Sequence, residues 1–261
     1  MTEAKPPAVL FRMIEPHIAV VTLNRPEARN AVNGAVAEAL EQAVERTESD
    51  PDIWVTILTG HGPVFCAGAD LKEVSAGNGA ALSTEKGGFG GFVRAKRSKL
   101  WIAAAQGHAL AGGLELLLSC DLAVAADRAD FGLPEVKRSL VAGAGGVFRL
   151  PRVLPKAIAL EMIATGDPIP ASRAAHFGLI NLVVPASLVL PTALTLARRV
   201  TVNAPIAVRE SLGVARQAYD RPEADLWEIS AAASQRVRQT EDFKEGPRAF
   251  VEKRAPNWVG R

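Results

Sequence analysis

Apolar residues along this chain follow two periods, and the period changes with position. Residues 9–14 and Ile18–Leu23 are short apolar runs joined by a connection containing Pro16, the pattern of a hairpin. A loop at residues 24–27 follows. Asn33-Gly34 then opens a helical stretch through residue 48, with Val36, Leu40, Val44 and Thr47 along one stripe. Residues 53–58 are a continuous apolar run closed by Gly60-His61-Gly62-Pro63, which suits a buried strand. Leu100–Ala105 and Leu122–Ala126 read as further strands, and residues 113–119 between them are apolar at helical spacing.

Strands alternating with helices predict an α/β core. No repeat with a period of about 20–50 residues is evident. Residues 75–91 carry Gly77, Gly79, Gly87, Gly88, Gly90 and Gly91, and a mobile loop is expected there. Beyond Pro185 the pattern turns helical, with helices expected at 188–200, 205–219, 222–239 and 241–253. Pro205 and Pro222 suit the first turn of a helix. The division expected is a core at residues 1–200 and a helical region at 201–261. A tail of this kind packs either on its own core or against another subunit.

Composition narrows the class. The chain has 261 residues, 48% of them hydrophobic, enough for one large core. A net charge of +2 leaves no broad basic field for duplex nucleic acid, and 5% aromatics give no stacking platform for single strands. Cys66, Cys120, His17, His61, His108 and His176 are not at zinc-ligand spacing, and no metal is expected. The two cysteines could pair, or could be reduced core thiols of a cytoplasmic protein. The opening MTEAKPPAVLF has neither a basic, then apolar signal nor an Arg-rich transit pattern, so the chain is expected to be cytoplasmic, or a mature chain whose targeting peptide is absent. No P-loop, GxGxxG or GxSxG is present, which leaves nucleotide hydrolysis, hydride transfer and serine hydrolysis without support.

Two Gly-rich turns remain as candidate chemistry. One is Phe65-Cys66-Ala67-Gly68-Ala69-Asp70-Leu71-Lys72, and the other runs from Gly107 to Glu115 and leads into a helix. Small residues let the backbone approach a ligand, and a helix's first N–H groups favour negative charge. Such turns also serve plain packing, but two of them, each following an apolar strand, suggest a two-donor site for developing negative charge. Glu115 sits among Leu114, Leu116, Leu117 and Leu118, where burial would raise its pKa. Otherwise it is a solvent-facing glutamate at a helix N-terminus. Glu135 follows Pro134 in a second small-residue turn; its plain reading is a first-turn helix glutamate. Two carboxylates beside ligand-approaching turns are what acid–base work on one water needs.

At this point the residues resemble the crotonase family, the enoyl-CoA hydratase/isomerase superfamily. The resemblance rests on LNRPEARNAVN (23–33), FCAGADLKE (65–73), GHALAGGLELLLSCD (107–121), FGLPEVK (131–137), AGAGGVFRLPRVLP (142–155), MIATGDPIPASRAAHFGLINLVVP (162–185) and FVEKR (250–254), in that order. It implies a spiral of ββα units with a C-terminal helical trimerisation region, and a homotrimer or dimer of trimers. It implies an oxyanion hole from the N–H groups of Ala69 and Gly112, with Glu115 and Glu135 as the two hydratase carboxylates. Coenzyme A (CoA) would lie near Arg25, Glu27, Ala28, Ala67, Ala69, Asp70, Leu71 and Gly112. Phe250 and Lys253 match positions that reach its phosphates, often in a neighbouring subunit; alone, Lys253 is an ordinary solvated lysine.

The expected activity is hydration of a 2-enoyl-CoA thioester to a 3-hydroxyacyl-CoA, in fatty-acid or related acyl-CoA catabolism. No cofactor is expected, since CoA belongs to the substrate. An enoyl-CoA isomerase, a carnitinyl-CoA dehydratase-like enzyme and a non-catalytic acyl-CoA-binding scaffold are the alternatives. Residues 135–155 are similar to the carnitinyl-CoA dehydratase branch. Departures from the family at 87–91, Leu100, Trp101, Gln106 and 139–143 are expected around the acyl pocket, where they bear on substrate identity.

Overall fold

The computed structural model describes residues 6–261; residues 1–5 of the N-terminal stretch lie outside it. The strands are β1 (Val9–Glu15), β2 (Ile18–Leu23), β3 (Val55–Gly60), β4 (Ser83–Thr84), β5 (Gly88–Phe89), β6 (Leu100–Ala105), β7 (Ala109–Leu110), β8 (Leu122–Ala126), β9 (Asp130–Gly132), β10 (Ile169–Pro170) and β11 (Leu182–Val184). The helices are α1 (Gly34–Ser49), α2 (Leu71–Ser75), α3 (Gly112–Leu117), α4 (Gly146–Val153), α5 (Lys156–Thr165), α6 (Ala171–His176), α7 (Val189–Thr201), α8 (Pro205–Ala215), α9 (Glu223–Arg238) and α10 (Glu241–Glu252). Among the described residues no helix is long and apolar enough to cross a membrane.

One sheet has the order β1-β2-β3-β6-β8-β11, and all its pairs but the β1–β2 hairpin are parallel. A second sheet, β10-β9-β7, stands apart from it. The chain visits both in turn. From β2 it passes Val32 and enters α1; from β3 it passes Cys66 and Ala69 and enters α2. From β6 it passes β7 and enters α3; from β8 it passes β9 and enters the 3-10 turn Pro134–Arg138. The second strand of each turn stacks in parallel on the next, at Val32↔Ala69, Cys66↔Ala109 and Ala109↔Phe131. This is the expected spiral of ββα units, and it stacks the segments that enter successive helices.

Local sequence explains the elements. Asn33 caps α1 by accepting from Val36 N at 3.0 Å, and Val36, Leu40, Val44 and Thr47 are buried as the periodicity predicts. Each buried Val or Leu there stabilises by about 1.5–3 kcal/mol. Strand β6 is buried at every position because β3 and β8 flank it and α7 packs across the sheet. That placement assigns α7 to the core, through Val189, Ala193 and Ala197.

Three expectations shift. Strand β3 starts at Val55, because Ile53 N bonds back to Asp50 O in a turn. Helix α8 stops at Ala215, and Pro222 stands at the N-cap of α9 rather than in its first turn. Residues 83–91 are not a loose loop: β4 and β5 pair as a hairpin on α1, and Glu41 accepts from Thr84 Oγ1 at 2.6 Å and Gly87 N at 3.0 Å. Glycine there permits a tight turn rather than mobility.

Candidate active site

The stacked helix entrances open onto a cavity of about 510 Å³. Ala67, Ala69 and Leu71 come from one turn of the spiral, Leu110, Ala111, Gly112 and Glu115 from the next, and Pro134, Glu135 and Arg138 from the third. Ala28, Arg29, Phe89, Leu140, Val141, Gly143 and Ala144 complete the lining. Residues separated by more than a hundred positions meet because each unit of the spiral advances by one strand.

The two backbone donors are placed by different means. In the bridge to Val32, Val32 N donates to Gly68 O and Asp70 N donates to Val32 O, both at 2.8 Å. Alternation along the strand turns the intervening Ala69 N–H to the opposite edge. Gly112 is the first residue of α3, so its N–H has no acceptor within the helix. The two turns touch: a β-carbon at Gly68 would fall 3.0 Å from Gly112 N and 2.8 Å from the Ala111 β-carbon. Ala111 enters α3 with φ 52° and ψ −129°, a conformation costly for a residue with a β-carbon, and its N–H donates to Gly132 O at 2.9 Å. The Phe89 ring closes over the turn, 2.4 Å from where a Gly112 β-carbon would lie.

Glu115 is 3% exposed, on a six-residue helix whose other residues are also buried. Its Oε1 accepts from Gly146 N at 2.9 Å. Burial pushes its pKa up to about 7; the amides of Gly146 and Ala144 and the Arg149 cation oppose that, and the charge of Glu135 adds to it. The pKa of Glu135 is raised as well, chiefly by burial, with its own backbone amide and Arg138 opposing. Glu135 Oε2 is buried and has no hydrogen-bond partner among the described residues. Two proton-hungry carboxylates thus share one cavity, beside two amides suited to an oxyanion. That arrangement can move protons to and from a substrate whose carbonyl gains negative charge.

Not every sequence candidate reaches the cavity. Ala28, Ala67, Ala69, Leu71, Gly112, Glu115 and Glu135 line it; Arg25, Glu27 and Asp70 do not. Arg25 Nη2 pairs with Asp70 Oδ2 at 3.0 Å and its Nη1 donates to Ala31 O at 2.6 Å. It ties two loops together. Asp70 also caps α2, accepting from Lys72 N at 3.1 Å. Phe250 and Lys253 lie away from the cavity, on and just after α10, and Phe250 is 85% exposed.

The pocket wall also differs from expectation. Leu140, Val141 and Gly143 line it as anticipated, but Leu100 and Trp101 are core residues, Trp101 packing edge-on against Phe92. Gln106 donates to Gly62 O and Val64 O, a loop-bracing role. Of the Gly-rich segment, Phe89 alone reaches the cavity. Arg29, Phe89 and Arg138 were not singled out by sequence. Arg138 carried a usable signal, since it follows Glu135 by three positions in a 3-10 turn and shares its face.

Comparison with known proteins gives a consistent result. The model of the enoyl-CoA hydratase/isomerase family matches residues 13–261. Enoyl-CoA hydratase EchA19 of Mycobacterium tuberculosis is 40% identical, over 99% of this chain and 98% of its own. Mevalonyl-coenzyme A hydratase sidH of Aspergillus fumigatus is 39% identical, over 98% and 97%. Among solved structures, an enoyl-CoA hydratase from Mycobacterium tuberculosis H37Rv superposes with a TM-score of 0.94 at 42% identity, covering 98% of this chain and 100% of that one. A carnitinyl-CoA hydratase from Mycobacterium avium gives 0.79 at 46% identity, with the same coverage.

Proposed function

Since the chain belongs to the enoyl-CoA hydratase/isomerase family, we propose that it hydrates a 2-enoyl-CoA thioester to a 3-hydroxyacyl-CoA, with Glu115 and Glu135 as the catalytic pair. The observation that carries this reading is that Glu115, buried, and Glu135, half-buried with its Oε2 enclosed, line one cavity with Ala69 and Gly112.

The thioester carbonyl accepts hydrogen bonds from Ala69 N–H and Gly112 N–H. They polarise the conjugated double bond and make the β-carbon electrophilic. One water sits between the carboxylates. Glu115, ionised, takes a proton from that water as the oxygen bonds to the β-carbon, and the carbonyl oxygen takes up the negative charge. Glu135, protonated, delivers a proton to the α-carbon on the same face. Raised pKa values suit both roles near neutral pH. As the two carboxylates interact, their protonation steps belong to the pair. Each oxyanion donor contributes on the order of 10²–10³-fold to turnover.

The CoA moiety runs past Ala28, Ala67 and Leu71, with the Arg25–Asp70 pair holding its loops in register. Phe250 and Lys253 contribute from a neighbouring subunit of a homotrimer or dimer of trimers, which accounts for their distance from the cavity. We place the protein in the cytoplasm, in fatty-acid or related acyl-CoA catabolism, with no cofactor beyond the CoA of its substrate. The test is product analysis with paired 2-enoyl-CoA and 3-enoyl-CoA esters. Formation of 3-hydroxyacyl-CoA from the 2-enoyl ester supports the proposal. Double-bond migration without hydration would make the enzyme an isomerase, and tight binding without turnover would make it a scaffold.

A further inference from the structure

Glu115 lies on a helix of only six residues, too short to orient a buried carboxylate by itself. Its carboxylate is aimed from outside, by Gly146 N–H at 2.9 Å. Gly146 opens α4, after Gly145 at φ 115°. One turn later Arg149 folds back beneath this entrance. A β-carbon at Gly145 would fall 2.9 Å from Arg149 Nη1. The same Nη1 donates to Ser119 Oγ at 2.6 Å, and Ser119 Oγ donates to the Glu115 carbonyl oxygen at 2.7 Å. Nη2 donates to the Val93 carbonyl at 2.6 Å, on the segment that follows Phe89. Arg149 therefore joins three walls of the cavity: the end of α3, the entrance of α4 and the Phe89–Val93 stretch. Behind it, Arg97 Nη2 donates to Ser119 O at 2.6 Å and locks the same corner.

We infer that Arg149 is the positioning residue for Glu115, holding the peptide that aims its carboxylate and the helix that carries it while forming no ion pair with it. This inference rests on the proposed role of Glu115 in the hydration step. Among the described residues, the polar partners of Arg149 are Ser119 and Val93. The separation matters chemically. A direct ion pair would hold Glu115 ionised and keep it from cycling its proton. A guanidinium one layer back offsets part of the burial penalty and leaves the proton exchangeable. Glu135 also acts on Glu115, raising its pKa, and Arg138 and Arg29 line the same cavity.

The test compares R149M, R149K and S119A with wild type. R149M removes the cation at similar volume, and its kcat for crotonyl-CoA falls on the order of 10²-fold with KM within about two-fold. The acidic limb of its pH–rate profile moves up by a fraction of a pH unit, since Arg149 is one of several groups that hold the Glu115 pKa down. R149K keeps the charge and leaves the limb in place with intermediate kcat; S119A lowers kcat without moving the limb. A purely structural arginine would lower the melting temperature and leave the limb unmoved in all three. A readout independent of turnover is the carbon-13 titration of the Glu115 carboxyl, assigned with E115Q. Titration at higher pH in R149M than in wild type and R149K supports the inference, and coincident titration overturns it. If wild type fails to hydrate crotonyl-CoA, the hydratase reading falls while this titration still decides the placement of Arg149.

Discussion

Replacing Glu115 by Gln gives a stability change whose pH dependence follows from the structure. The carboxyl is buried, and its pKa rises from 4.5 to about 7, chiefly through burial. At about 1.4 kcal/mol for each pH unit, that distance corresponds to roughly 3 kcal/mol. The sign follows from proton counting. A carboxyl whose folded pKa lies above its unfolded value contributes stability in full below pH 4.5 and loses it as pH rises through about 7. Wild type therefore carries a penalty of roughly 3 kcal/mol above neutrality that Gln does not. Gln still accepts from Gly146 N–H, though about 1 kcal/mol more weakly than an ionised acceptor. E115Q is thus expected to match or trail wild type at about pH 4.5 and to exceed it by roughly 2–3 kcal/mol at about pH 8. Urea denaturation of both proteins over this range, followed by far-UV circular dichroism, measures the difference directly. A stability difference that does not change with pH would refute the burial argument for Glu115.

Other outcomes follow from the same geometry. Gly112→Pro deletes a donor N–H and is expected to lower turnover on the order of 10²–10³-fold; retained turnover in steady-state assays would place the oxyanion elsewhere. Ala111→Gly relieves φ 52° and ψ −129° and should stabilise by about 1 kcal/mol in thermal denaturation. The Cys66 thiol is fully buried and burial pushes its pKa up to about 12, so iodoacetamide at neutral pH should label it only after denaturation. Arg25→Met breaks the pair with Asp70 at 3.0 Å and should raise KM for CoA esters more than it lowers kcat, measured by initial rates.

Much of the fold was legible because it is local. The α1 stripe, the apolar runs of β6 and β8, and the four C-terminal helices are written in periodicity. Glu115 and Glu135 drew notice because one lies in a leucine run and the other follows a proline. Their partners did not, because those are set by tertiary contacts. Gly146 N–H reaches Glu115 across 31 positions from a segment without period. Phe89 sits inside a glycine run that reads as loose chain, yet β4–β5 pairing and Glu41 fix it on α1. The partner of Arg25, Asp70, stands 45 positions on, and only the fold brings the two together. Trp101 reads as a pocket substitution but lies within a strand buried on both faces.

The central claim is that Glu115 and Glu135 act together on one water. The most direct measurement is crotonyl-CoA hydration by E115Q and E135Q, with binding of a saturated CoA ester to each variant measured by calorimetry. The account predicts that each substitution abolishes most hydration while ester affinity stays near that of wild type. Normal hydration by either variant would contradict it.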